Sequence, residues 1–142
     1  NYLAVHCSAT REGCTLTSEV LEAEHRRRGF RTTGYHYYIR RDGTVLGTRS
    51  LELPGAHCRG HNKYSIGICY EGGLDARGNP KDTRTPEQRS ALHLLVYQLL
   101  QQFRNARVCG HRDLSPDLDG DGTVEPWEWV KQCPCFEVSK EF

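Results

Sequence analysis

Between Val108 and Cys135 the chain places a histidine (His111), an acidic loop from Asp117 to Glu128, and the run Lys131-Gln132-Cys133-Pro134. Imidazole and thiolate are borderline-soft metal ligands, whereas closely spaced carboxylates suit a hard cation. His6, at the end of the first apolar run, adds another soft donor. A catalytic zinc takes three protein ligands and keeps a fourth position for water. His6, His111 and Cys133 would supply two nitrogens and one sulfur. Zinc so held lowers the pKa of its water toward neutrality and polarises a bound carbonyl. Spacing alone does not separate this set from two polar loop histidines and a structural thiol.

The acidic loop is more explicit. Asp117, Asp119, Asp121, Gly122 and Glu128 fall at positions 1, 3, 5, 6 and 12 of the twelve-residue calcium loop. Thr123 takes position 7, where a backbone carbonyl ligates, and Val124 takes the apolar position 8. No helix is expected before it, because Ser115-Pro116 reads as loop, so it is half an EF-hand at most. A solvated acidic turn is the alternative. Glu128 and Lys131 are three residues apart on the short helix expected from Pro126 to Lys131. Calcium at Glu128 is therefore expected to fix that helix and place Lys131 and Cys133.

The elements that position these groups follow from pattern. Tyr2-Leu-Ala-Val-His6 is a short apolar run, read as a buried strand ending at His6. Thr17 caps a helix to about Arg28, and Gly29 stops it. Strand-like runs at Tyr35–Arg40 and Thr44–Thr48 flank Asp42-Gly43, a strong hairpin signal. Leu51 to Lys63 is a loop, and Ser65–Tyr70 a further strand. Thr85, Pro86 and Gln88 open a helix to about Phe103 with a capping box. Its core face is Leu92, Leu95, Val96, Leu99 and Leu100. A last strand, Arg107–Cys109, leads to His111. The order β-α-β-β-β-α-β implies a single α/β domain with a mixed central sheet flanked by helices. Both His6 and His111 then sit at strand carboxyl ends, where working residues of such sheets gather.

Composition narrows the classes. At 142 residues the chain is one domain able to bury a core. The net charge of +1 argues against nucleic acid, which calls for a basic stripe. The His25-Arg26-Arg27-Arg28 cluster reads as a solvated helix end. No apolar run reaches the roughly 20 residues of a membrane span, and Asn1–Val5 carries no signal-peptide pattern. Seven cysteines, an odd number, suggest a mostly reduced protein with one metal-binding thiol. A disulfide among Cys14, Cys58 and Cys135 stays open.

Five blocks resemble the zinc-dependent N-acetylmuramoyl-L-alanine amidases, whose superfamily includes amidase-type phage lysozymes and peptidoglycan recognition proteins. They are Val5–Thr10; Gly34–Tyr37 with Arg41–Val45; Gly55–Asn62 with Ser65–Ile68; Gly110–Leu114; and Lys131–Pro134, in family order over nearly the whole chain. The resemblance implies zinc on His6, His111 and Cys133, and catalytic roles for Tyr35 and Lys131. Read as residues alone, Tyr35 is a strand aromatic and Lys131 a solvated charge. His57 and Asn62 are expected to line the substrate groove, and His36 to support the metal. His25 and His93 are read as ordinary helix histidines. The implied substrate is peptidoglycan or its muropeptides, cut between N-acetylmuramic acid and L-alanine. A module that binds peptidoglycan without cutting it is the alternative. An endolysin, a prophage enzyme or a bacterial cell-wall recycling enzyme is implied, monomeric, without a nucleic-acid or membrane partner. Such an enzyme is cytoplasmic until released to the cell wall, or exported. The acidic stretch 117–128 is an insertion that the family pattern does not contain.

Overall fold

Tyr2–Cys7 forms strand β1 in the computed structural model, which describes residues 1–142. Leu3, Ala4 and Val5 are fully buried, as a continuous apolar run demands of a central strand covered on both faces. Around it lie β2 (Thr10–Arg11), α1 (Ser18–Arg27), β3 (Tyr37–Ile39), β4 (Val45–Gly47), β5 (Ser65–Tyr70), β6 (Gly73–Leu74), α2 (Pro86–Gln102) and β7 (Arg107–Gly110). The main sheet has the order β4-β3-β5-β1-β7. All its neighbours are parallel except the β3–β4 hairpin, so the sheet is mixed. Asp42-Gly43 turns that hairpin, with Gly43 at φ +88°.

The pleat sorts the side chains onto two layers. Leu3, Val5, Ile39, Ile68 and Tyr70 pack with Leu92, Leu95, Val96 and Leu99 of α2. Tyr38 and Cys69 pack with Leu21 of α1 on the other face. His6 is in register with Cys69, and so shares the α1 face. Helix α2 begins as its residues dictate: the Thr85 hydroxyl accepts from Gln88 N, and Gln88 Oε1 accepts from Thr85 N. Gln88 Nε2 then donates to the carbonyls of Ile39 and Glu71, fastening the helix to the sheet.

The carboxy-terminal segment returns over the α2 face, burying Phe136 and Val138. Arg84, whose side chain is fully buried, clamps it. Its guanidinium bonds Asp82 at 2.9 Å and Glu141 at 2.6 and 2.9 Å, and lies 3.3 Å from the Phe136 ring centroid.

Several expectations need correction. Tyr35 and His36 precede β3 rather than belonging to it. The hydroxyls of Thr33 and Thr48 take the Tyr35 carbonyl, and Ala56 N takes that of Gly34, so the ladder begins only at Tyr37. The two-residue strands β2 and β6 pair with each other, a ladder too short for any periodic signal. The helix expected from Pro126 to Lys131 is a three-residue 3-10 turn ending at Glu128. Glu128 and Lys131 therefore share no helix face. All seven cysteines are free thiols, in line with the mostly reduced protein expected.

Candidate active site

The carboxyl ends of β1 and β7 bring His6 and His111 together, with ring centroids 4.5 Å apart. Cys133 joins them from the carboxy-terminal segment. Its carbonyl accepts from Arg112 N at 2.9 Å, and its Sγ accepts from Cys7 N at 3.2 Å. The Cys133 segment can approach β7 because residue 110 is glycine; a Cβ there would meet Pro134 Cδ at 2.6 Å. One ligand atom each from His6, His111 and Cys133 lies within 4.8 Å of the others. Two imidazole nitrogens and one thiolate, so grouped, are a donor set that suits zinc. Burial, and the nearby His57, His111 and Lys131, hold the His6 pKa well below the ordinary imidazole value. A neutral ring is the ligand form.

Tyr35 and Lys131 converge on the same place. A hollow of about 190 Å3 is lined by Ser8, Tyr35, His57, His111, Lys131 and Cys133, among others. The Tyr35 ring centroid is 5.1 Å from that of His6. Burial, with Cys69, Cys133 and Cys7 around it, pushes the Tyr35 phenol pKa up, so it keeps its proton at neutral pH. Lys131 is exposed and also borders a neighbouring hollow of about 570 Å3 walled by Cys58, Arg59, His61, Pro116 and Val130. The two hollows share His111 and Lys131 as lining residues.

Three histidines and an asparagine have contacts that differ from expectation. His57 borders the hollow, but its ring is bonded on both sides, Nδ1 to His6 Nε2 at 2.8 Å and Nε2 to Ser65 Oγ at 3.1 Å. Burial, with His36 next, lowers its pKa to about 4. Asn62 lines a different cavity, at the amino ends of β1 and β5. Its Oδ1 accepts from the backbone N–H groups of His57 and Cys58, both at 2.8 Å, so it shapes the loop instead of lining the groove. His36 contacts no metal-ligand candidate directly. It joins Gly67 N to the Leu53 carbonyl through its two ring nitrogens. His25, read as ordinary, is buried beside the site: its Nδ1 accepts from Gly34 N at 2.7 Å and its ring lies 5.5 Å from that of Tyr35. The i, i+4 spacing of His25 from the buried Leu21 was the available signal.

The acidic loop is exposed and stands apart from the three soft donors. Carboxylate oxygens of Asp117, Asp119 and Glu128 lie within 4.8 Å of one another, as do those of Asp119, Asp121 and Glu125. Glu128 is buried and helps close the loop, accepting from the N–H groups of Leu118, Asp119 and Glu125. Asp117 accepts from Gly120 and Gly122 N, and Asp121 from Thr123 N.

Comparison with known proteins gives a consistent picture. The family model described as N-acetylmuramoyl-L-alanine amidase matches residues 1–134. The endolysin of Enterobacteria phage K11 is 35% identical over 136 residues, 96% of this chain and 81% of that one. A Haemophilus influenzae protein described only as uncharacterized is 47% identical over 97 residues, 68% of this chain and 84% of its own. Among solved structures, the N-acetylmuramoyl-L-alanine amidase LysC from Clostridium intestinale superposes with a TM-score of 0.76 at 26% identity, covering 99% of this chain and 80% of that one.

Proposed function

This chain belongs to the N-acetylmuramoyl-L-alanine amidase family, and on that premise we propose that it is a zinc-dependent hydrolase of the bond between N-acetylmuramic acid and L-alanine in peptidoglycan. The observation that carries the reading is the grouping of His6, His111 and Cys133 at the edge of a hollow that Tyr35, His111, Lys131 and Cys133 line. No helix is long and apolar enough to cross a membrane, and we place the protein's work at the cell wall, as a monomer.

His6, His111 and Cys133 would hold the ion, which when bound supplies Lewis-acid activation of water and of the scissile carbonyl. The chain's own groups do the rest. The Lys131 ammonium donates to the oxygen that gains negative charge as the carbonyl is attacked. Tyr35 Oη, held protonated, orders the attacking water and relays one of its protons to the departing L-alanine nitrogen. Water thus gives OH to the muramic-acid carbonyl carbon and H to the amine. Lys131→Ala is expected to lower kcat by about 10²–10³-fold, the cost of losing one oxyanion donor, with bound zinc unchanged. A Lys131→Ala variant as active as wild type on purified peptidoglycan would remove lysine from the mechanism. Peptidoglycan that is bound by wild type and released intact would favour the non-catalytic module.

The acidic loop belongs to the same proposal as a calcium clip, with Asp117, Asp119, Asp121 and Glu128 as side-chain ligands and the Thr123 carbonyl as the fifth. Clustered carboxylates repel until a cation joins them. Added calcium is therefore expected to raise the Tm of wild type, and not that of Glu128→Gln. Equal Tm values with calcium and with chelator would leave the loop a solvated turn.

A further inference from the structure

His57 lies in a slot cut for its ring. A Cβ at residue 67 would meet His57 Cδ2 and Cγ at 2.7 Å, and one at residue 55 would meet Cδ2 and Nε2 of the same ring. Asn62 Oδ1 pins the backbone N–H groups of His57 and Cys58. So placed, the ring links His6 to Ser65 in a chain that ends on a main-chain carbonyl: His6 Nε2 to His57 Nδ1 at 2.8 Å, His57 Nε2 to Ser65 Oγ at 3.1 Å, Ser65 Oγ to His61 O at 2.7 Å.

The direction of that chain is forced from its far end. A carbonyl oxygen can only accept, so Ser65 gives its single hydroxyl proton to His61 O. Its oxygen must then accept from His57, which places the proton of a neutral His57 on Nε2 and leaves Nδ1 bare. A bond between two imidazole nitrogens holds one proton, so His6 must supply it from Nε2. The lone pair of His6 is left on Nδ1.

We propose that Ser65 and His57 are positioning residues that set the tautomer of His6, so that it meets the metal through Nδ1. The carbonyl of His61 thereby dictates which nitrogen of a ring two hydrogen-bonded partners away is a ligand. Such outer partners also fix ring orientation and raise ligand basicity. This rests on the zinc reading for the identity of the ion, but the proton order itself exists without any metal.

The test separates the two. Long-range 1H–15N spectra of histidine-labelled protein, metal-free, report which nitrogen carries each proton. The expected pattern is Nε2–H on both His6 and His57. Loading with cadmium-113 then reports the ligating nitrogen by its coupling, expected on His6 Nδ1. A His57 proton on Nδ1, or His6 coupled through Nε2, overturns the relay while leaving the metal site intact. Absence of a one-to-one, Cys133-dependent cadmium signal overturns the zinc reading and the relay's ligand role with it. Variants give a second readout. In His57→Asn the amide oxygen falls near the Nδ1 position and still accepts from His6. In His57→Gln the amide falls near the Nε2 position and leaves the His6 proton unpaired. Zinc affinity by chelator competition is expected within about threefold of wild type for Asn, and about 10–100-fold weaker for Gln. Equal losses in the two variants would mean that only the ring's bulk matters and would overturn the proposal. Ser65→Ala is expected to give both His57 tautomers in the same spectra; a single unchanged tautomer would contradict the role of Ser65.

Discussion

Cys133→Ser is expected to lose stoichiometric zinc and to cut peptidoglycan at least ~10³-fold more slowly than wild type. Serine keeps the size of the side chain, so the half-buried position, packed against the α2-face core, loses little packing. It replaces a soft thiolate by a neutral hydroxyl that binds zinc poorly at neutral pH. Two imidazoles remain, one protein ligand short of a catalytic zinc site. Lewis-acid activation of the carbonyl and water is worth several kcal/mol, and each 1.36 kcal/mol is tenfold in rate. The measurements are bound zinc per chain and initial rate on purified peptidoglycan, with circular dichroism to confirm the fold. A folded, active Cys133→Ser variant would sink the assignment of the sulfur ligand.

Arg84→Met is expected to be the most destabilising single change outside the apolar core. The Arg84 side chain is fully buried, while Asp82 and Glu141 keep about a quarter of theirs exposed, at 24% and 22%. Removing one partner of a buried pair costs about 3–5 kcal/mol; partial exposure of the two carboxylates puts this case near the lower figure. At this size the Tm should drop by roughly 10 °C. The pH dependence gives a signature. Hydrogen bonds from Arg84, then from His93, hold the Glu141 pKa at about 2, depressed from 4.5. A depressed carboxylate contributes stability that is present above its unfolded pKa and lost as pH falls through the folded one. Wild type should therefore lose stability between about pH 4.5 and pH 2, and Arg84→Met should lose less over that window. Urea titrations across that range decide it; parallel curves would show that the clamp is not coupled to Glu141 protonation. Since Arg84 ties down the segment that carries Cys133, the variant should also bind zinc more weakly.

Local signals in the chain were reliable where the physics is local. Thr85 and Gln88 announce the start of α2 because a capping box needs only four residues, and Asp42-Gly43 announces the hairpin because positive φ favours glycine. The continuous run Leu3-Ala4-Val5 marks a strand buried on both faces. Block order names His6, His111, Cys133, Tyr35 and Lys131; folding groups the first three and brings Tyr35, His111, Lys131 and Cys133 to one hollow. What could not be read was which polar group meets which. Asn62 and His57 share a block with groove-like residues, yet the side chain of Asn62 closes its own loop and His57 faces His6, 51 residues away. Arg84 carries no local signal of its role, because its partner Glu141 lies 57 residues further on. Lys131 was placed on a helix through its spacing from Glu128, but the turn ends at Glu128, whose carboxylate takes three backbone N–H groups of the loop.

The most direct test of the central claim is the identity of the bond that is cut. Purified peptidoglycan is digested with zinc-loaded protein and the newly exposed amino termini are labelled and identified. The account predicts that L-alanine is the new terminus, that no new reducing sugar appears, and that a zinc chelator stops its release. A different new terminus, new reducing ends, or cleavage that persists after complete removal of zinc would contradict it.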